Sequence, residues 1–299
     1  MKESESHDNC RRIMKKIAFA TCEKYPQLTE DDRLVMEPLR HLGIEVSPLI
    51  WDSADSQSQN PGSIVIRSCW DYHFRPRQFL RWIKQMERRG AALWNPARVV
   101  EWNLDKIYLR DLKQQGVATP ETVWLERNAR ADLQTVLEEQ GWQKAVVKPL
   151  ISATAFRTWV TSPETAKSEQ SAFVKVLSET GAMAQRFVDE VRSRGEWSLI
   201  FFGGKYSHAV LKKPRVGDFR VQEEFGGQAE SVAPAATLIE QAQHIVALIP
   251  ERLLFARVDA VEVDGRLWLM ELELIEPALF LNRDALAPRR FAEAIASLC

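Results

Sequence analysis

Arg257–Pro277 reads RVDAVEVDGRLWLMELELIEP. Two apolar runs rich in Val and Leu flank Asp264-Gly265, a dipeptide typical of a tight β-hairpin tip. Acids interrupt both runs: Asp259 in the first, Glu271 and Glu273 in the second. Strand side chains alternate, so the two glutamates share a face. A carboxylate in a half-buried sheet is costly unless something positive meets it, and Mg²⁺, which prefers carboxylate and phosphate oxygens, is the candidate. The competing reading is an acidic edge strand that resists aggregation. The loop discriminates between them. With a two-residue Asp264-Gly265 loop, Val263 faces Arg266 and Asp259 falls on the opposite face from Glu271. A three-residue Val263-Asp264-Gly265 loop, with Gly265 left-handed, gathers all three acids. The metal reading therefore predicts the three-residue loop.

Working outward, Trp197–Phe202 and Lys205–Leu211 flank Gly203-Gly204, a second hairpin signal that leads into Lys212-Lys213-Pro214, Asp218-Phe219-Arg220 and Gly226-Gly227. A helix is expected over about 237–249, and an amphipathic helix over 288–298. In the middle of the chain, a helix begins at Asn103 or Asp105 and runs through Leu112 to a Gly116 stop, with Lys106 early on it. A further helix covers about 131–139. The run WQKAVVKPL at 142–150 is a strand in which Lys148 ends a β-branched stretch and Pro149 stops it; a lysine there is a good point charge for a phosphate. After Ser152–Thr158 (SATAFRT) come a strand at 159–161, a helix over 163–178, and the strand AMAQRFV at 182–188, followed by Glu190 and Glu196.

Toward the N-terminus, strands are expected at 16–21, 44–50, 63–67 and 92–94. Between them lie an amphipathic helix over 31–42, a Ser/Gln/Asn-rich connection, and a helix presenting Phe79, Leu80, Ile83 and Met86. This alternation predicts an open, mostly parallel sheet up to about residue 95. Ligands bind beyond the carboxyl ends of such strands. Two loops sit there: one carries Cys22, the other Arg67, Ser68, Trp70, Asp71 and Tyr72. The second reads as a recognition loop; its alternative is a helix start, with Asp71 as cap and Trp70 in packing. Residues 1–14 are polar and without period, and are expected to form a disordered leader, with Met14 an alternative start. No internal repeat is visible.

A length of 299 residues suits two or three subdomains around a large core. The net charge of −1, with both signs interspersed, argues against nucleic-acid binding by a basic face. Cys10, Cys22, Cys69 and Cys299 lack metal-ligand spacing, and no signal peptide or long apolar run is present, so a cytoplasmic protein without zinc, disulfides or membrane contact is expected. A homo-oligomer is left open.

In order, the chain carries NPxxxxxxNxxK at Asn95–Lys106, VVKP at 146–149, QRFV at 185–188 with Glu196 after it, basic residues after a hairpin, and then Asp259, Glu271 and Glu273. This set resembles the ATP-grasp superfamily, on the side of glutathione synthetase and the ribosomal-protein glutamate ligases. The resemblance implies an α/β fold with α+β lobes: an N-terminal open parallel-sheet domain over 15–95 for substrate, a first ATP-binding lobe over 96–184, and a second over 185–299 carrying the metal site. It implies ATP and Mg²⁺, with Mn²⁺ as a substitute. Lys106 and Lys148 match the lysines that reach the phosphates. Gln185, Phe187 and Val188 match the adenine hinge, Glu196 the ribose acid, and Asp259, Glu271 and Glu273 the metal ligands. Relatives often have Asn at the last position, so Glu273 adds a charge. Arg220, with Lys212 or Lys213, matches the residues that stabilise the phosphorylated intermediate; Lys213 is taken with Arg220 as catalytic and Lys212 with the nucleotide set. Many relatives close a glycine-rich loop on the phosphates. Here the stretch has no glycine, and Ser152 and Thr154 stand in as donors. The RSCWDY stretch is similar to the subgroup containing the ligase that closes O-ureido-serine into cycloserine.

The expected activity is an ATP-dependent carboxylate–amine ligation on a small amino-acid-like substrate through an acyl phosphate, with release of ADP. The alternatives are a ligase acting on a peptide or protein terminus, favoured by an open groove beside Arg67, and a non-catalytic ATP-binding regulator. His73 and His208 read as structural.

Overall fold

The computed structural model describes residues 14–54, 56, 62–215, 220–221 and 226–298. The expected leader apart from Met14, most of the Ser/Gln/Asn-rich connection, and Asp218-Phe219 lie outside these residues.

Three sheets follow one another along the chain. The first, in the order β2-β1-β3-β4, contains β1 (Lys15–Thr21), β2 (Ile44–Ile50), β3 (Ser63–Ser68) and β4 (Ala92–Trp94), all parallel as expected. The second, β5-β8-β6-β7, is antiparallel and comprises β5 (Thr122–Leu125), β6 (Ala145–Pro149), β7 (Trp159–Thr161) and β8 (Ala182–Arg186). The third, β11-β10-β9-β12-β13, is also antiparallel. It holds β9 (Glu196–Phe202), β10 (Lys205–Lys213), β11 (Gln228–Ser231), β12 (Phe255–Val263) and β13 (Arg266–Glu273). The closing helix Ala287–Leu298 welds the first sheet to the third: Phe291 stacks on Phe202 at 4.8 Å, in a core shared with Phe19, Phe255 and Leu279.

Two expected helices are broken. The stretch 31–42 forms Glu30–Arg33, capped by Thr29, and then Met36–His41. Asn103 ends a helix, Ala97–Asn103, rather than starting one, and a second helix spans Tyr108–Gln114. Lys106 thus sits in the turn between them, its backbone N–H donating to Leu150 O at 2.8 Å.

The hairpin corrects the loop prediction and keeps its consequence. Val263 pairs with Arg266, and Asp264 and Gly265 both have positive φ (48° and 75°), which is a two-residue type I′ turn. The odd residue is Met270. The register runs Ala260↔Leu269 and then Asp259↔Glu271, a bulge that flips the remainder of β13 and places Asp259 on the face of Glu271 and Glu273.

β13 is an edge strand, but its free edge is covered by side chains from residues 95–118. Tyr108 Oη accepts from Leu272 N (2.9 Å), Asn103 Nδ2 donates to Leu272 O (2.8 Å), and Asn103 Oδ1 accepts from Leu274 N (2.9 Å). Asn95 Nδ2 donates to Leu274 O (2.8 Å) and Phe255 O (2.9 Å) while its Oδ1 accepts from Leu254 N (2.7 Å). Leu269 N donates to Ala118 O at 2.8 Å. The two asparagines of NPxxxxxxNxxK are therefore clasps, each meeting a strand donor and a strand acceptor. Asn103→Ala would leave the N–H of Leu274 and the carbonyl of Leu272 buried without partners. It is expected to destabilise the protein by about 2–4 kcal/mol, read from urea unfolding.

Candidate functional site

Beneath the hairpin's acid face, between the second and third sheets, lies a cavity of about 430 Å³ that also meets Trp70 and Tyr72 of the N-terminal region. Of the residues proposed from sequence, Lys106, Lys148, Ser152, Thr154, Gln185, Phe187, Val188, Glu196, Lys212, Arg220, Asp259, Glu271, Glu273, Trp70 and Tyr72 line it.

Strand alternation sets the charges. On β12, Arg257 and Asp259 point the same way; on β13, Glu271 and Glu273 do. Arg257 NH2 lies 2.8 Å from Asp259 Oδ2 and 2.5 Å from Glu273 Oε1, so one guanidinium bridges both strands. Lys212 Nζ, on β10, sits 2.6 Å from Glu196 and 3.5 Å from Asp259, and Ser198 Oγ donates to the same Asp259 oxygen. Lys106 and Lys148 both reach Glu271 Oε1, at 3.1 and 3.7 Å. Two elements far apart in sequence thus deliver their ammonium groups to one carboxylate.

Burial would raise Asp259, yet Arg257 and Lys212 hold it well below the usual carboxylate range. Glu271 is likewise lowered, Lys106 and Lys148 outweighing its burial. Burial pushes Glu273 up to about 8 against the pull of Arg257, with the charge of Asp259 adding to the rise. Burial also carries Glu276 up to about 7. For both glutamates burial is the first cause of the rise.

Among the described residues, no three acid, His or Cys side chains converge as a ready metal cage. Mg²⁺ commonly takes one or two carboxylates plus substrate phosphates and waters. Glu271 and Glu273, side by side on the strand face turned to the cavity, are carboxylates of the kind such an ion takes.

At the other wall, Gln185 is buried, its Nε2 3.3 Å from Thr122 Oγ1 and its Oε1 without a partner. The ammonium of Lys144 lies 4.1 Å from the centre of the Phe187 ring. The glycine-free loop reaches conformations usual for glycine: Thr154, Ala155 and Arg157 have φ of 49°, 53° and 51°. Phe156 packs 5.3 Å from His73 and 5.1 Å from Phe74, and Arg157 pairs with Glu179. Ser152 is buried, with its hydroxyl on Pro149 O at 3.4 Å.

Five proposed residues are not brought into the cavity. Lys213 follows Lys212 on a strand and so points the other way, to Glu230 at 3.3 Å on the surface. Arg67 is buried and paired with Asp32 at 2.8 Å, donating also to Pro277 O at 3.1 Å. Ser68 donates to Asp32 Oδ2 (2.9 Å) and meets Thr21 Oγ1 (3.1 Å). Asp71 accepts from Trp51 Nε1 at 2.8 Å and binds Arg75 at 2.6 Å. Cys22 is buried in the N-terminal core. His208 is structural as expected, meeting Leu279 O at 2.9 Å through Nε2.

Sequence reasoning missed Arg257 and Glu276. The first was recoverable, since it stands two residues before Asp259 on the same strand. Lys212→Met removes the ammonium from two buried acids and is expected to cost about 3–5 kcal/mol in urea unfolding. Lys213→Met is expected to cost less than about 0.5 kcal/mol.

Residues 17–95 match the family described as "D-cycloserine synthetase DcsG, N-terminal domain". The cycloserine biosynthesis protein DcsG of Streptomyces lavendulae is 29% identical over 277 residues, covering 88% of this chain and 91% of that one. The crystal structure of D-cycloserine synthetase DcsG superposes with a TM-score of 0.81 at 26% identity, over 95% of this chain and 99% of the other. A RimK domain ATP-grasp protein from Sphaerobacter thermophilus (TM-score 0.71, 15% identity, 93% and 98% covered) shares the fold. So does a D-alanine–D-alanine ligase from Bacillus anthracis complexed with ATP (0.65, 16%, 95% and 96%).

Proposed function

For this chain, an enzyme of the ATP-grasp superfamily, we propose an ATP-dependent carboxylate–amine ligase that works through an acyl phosphate on a small amino-acid-like substrate. The observation that carries the reading is the convergence of Lys106 and Lys148 on Glu271. Lysines from two elements opposite a face of carboxylates form the charge pattern a magnesium triphosphate complements.

In this reading Lys106 and Lys148 bind the phosphates, and the wall of Gln185, Phe187 and Val188 takes the base, with Glu196 on the ribose. Glu271 and Glu273 would hold Mg²⁺, with Asp259, the third acid expected there, held instead by Arg257 and Lys212; the ion, when bound, offsets charge on the phosphoryl oxygens. The substrate carboxylate attacks the γ-phosphorus and ADP leaves. Nitrogen, from the same or a second molecule, then adds to the acyl carbon, phosphate departs, and the nitrogen gives up a proton. Arg257 and Lys212, with Arg220 on the cavity wall, are placed to stabilise the phosphorylated intermediate. This corrects the choice of Lys213. The Ser152–Thr158 loop, held by Phe156 on the N-terminal region, excludes water from an intermediate that water would hydrolyse.

The burial of Arg67 under the 276–280 turn, instead of beside an open groove, favours a small substrate over a peptide terminus. Similarity to DcsG across most of both chains makes ring closure of an O-ureido-serine-like compound the first candidate reaction. The domain division at about 95 and 185 and a cytoplasmic location belong to the same proposal; among the described residues no helix is long and apolar enough to cross a membrane.

The test is nucleotide release during incubation with MgATP and O-ureido-serine or other amino acids, with product masses. ADP and phosphate are expected, and Glu271→Gln should lower kcat at least about 100-fold in protein whose circular dichroism shows it still folded. AMP and pyrophosphate, or full activity in Glu271→Gln, would overturn the mechanism.

A further inference from the structure

Glu276 belongs to none of the groups described above. The residue is 6% exposed and lines the cavity, three residues beyond Glu273. Every other buried acid on the hairpin face has a cation: Asp259 has Arg257 and Lys212, Glu271 has two lysines, and Glu273 has Arg257. Among the described residues, Glu276 has none within ion-pairing distance: Arg257, Arg67 and Lys106 act on its carboxylate only from farther off, and it accepts from its own backbone N–H. A buried acid left this way is expensive unless a ligand completes it.

The backbone beneath it is held in place. Trp70 Nε1 donates to Glu276 O at 2.9 Å, and Arg67 NH2 donates to Pro277 O at 3.1 Å. Arg67 is itself fixed by its buried pair with Asp32, and Trp70 packs edge-on to Tyr25 at 5.1 Å. Two residues of the RSCWDY stretch thus grip consecutive carbonyls and aim the carboxylate into the cavity. Trp70 and Tyr72 line the cavity as well, and such rings favour a cation near their faces.

We infer that Glu276, aimed by Trp70 and Arg67, binds the free amino group of the substrate as an ammonium ion. The inference rests on the ligase reading and narrows it to carboxylates bearing a primary amine, such as α-amino acids, and against acylated or amine-free acids. On this account Arg67 and Trp70 are positioning residues.

The test is calorimetric binding of O-ureido-serine and of its N-acetyl derivative to the full chain in the presence of MgADP, which needs no turnover. Wild type should prefer the free amine. Glu276→Gln should weaken free-amine binding about 30-fold or more, leave the weak N-acetyl binding unchanged, and keep MgADP binding within twofold. Trp70→Phe, which retains a ring but loses the N–H, should produce a smaller loss confined to the free amine. Equal weakening of both compounds, no change in Glu276→Gln, or no binding of any free amino acid to wild type would overturn the assignment. Amine-dependent binding without ADP release would instead defeat the ligase reading while leaving Glu276 as an ammonium site.

Discussion

The structure depends on side chains that complete an edge strand. β13 presents one row of backbone groups to β12; the other row would face nothing. Asn95, Asn103 and Tyr108 supply those partners, with Ala118 O adding one more. An amide side chain carries a donor and an acceptor, so it can replace a neighbouring strand at a single position without lengthening the sheet. The same contact sets the chemistry. The segment that clasps β13 also carries Lys106, and clasping delivers its ammonium to Glu271.

The charge arrangement follows from that fixed geometry. Carboxylates on one sheet face repel one another, and burial sharpens the repulsion. Arg257 spans β12 and β13, Lys212 reaches across from β10, and the two lysines come from outside the sheet. Burial still raises Glu273 and Glu276 against the pull of these cations. A divalent ion and a substrate ammonium are the two positive groups that the proposed reaction would bring.

Much of this was legible in the sequence, because hydrophobic periodicity, glycine punctuation and isolated charges in apolar runs are local signals. The parallel N-terminal sheet, both hairpins and Lys148 at the end of its strand fall where those signals put them, whereas Lys106, expected on a helix, sits in a turn. What was not legible depended on pairing. The Asp264-Gly265 loop has the two residues its dipeptide suggests, and the register is corrected by a bulge at Met270, which a residue pattern does not mark. Asn103 looked like a helix cap, and its real partners lie about 170 residues away. Arg67 was expected to contact ligand because a buried cation needs a partner; that partner proved to be Asp32, on a neighbouring helix. Lys212 and Lys213 could be told apart only by knowing which face of β10 is turned inward.

The central claim is that the acid face of the hairpin takes a metal-bound triphosphate against Lys106 and Lys148. A crystal of the protein with Mn²⁺ and a non-hydrolysable ATP analogue, with anomalous scattering recorded for manganese, tests it most directly. The account predicts an anomalous peak coordinated by Glu271 and Glu273, with phosphate oxygens on the two lysines. A peak elsewhere, with Glu271 still held by both lysines and Glu273 still on Arg257, would contradict it.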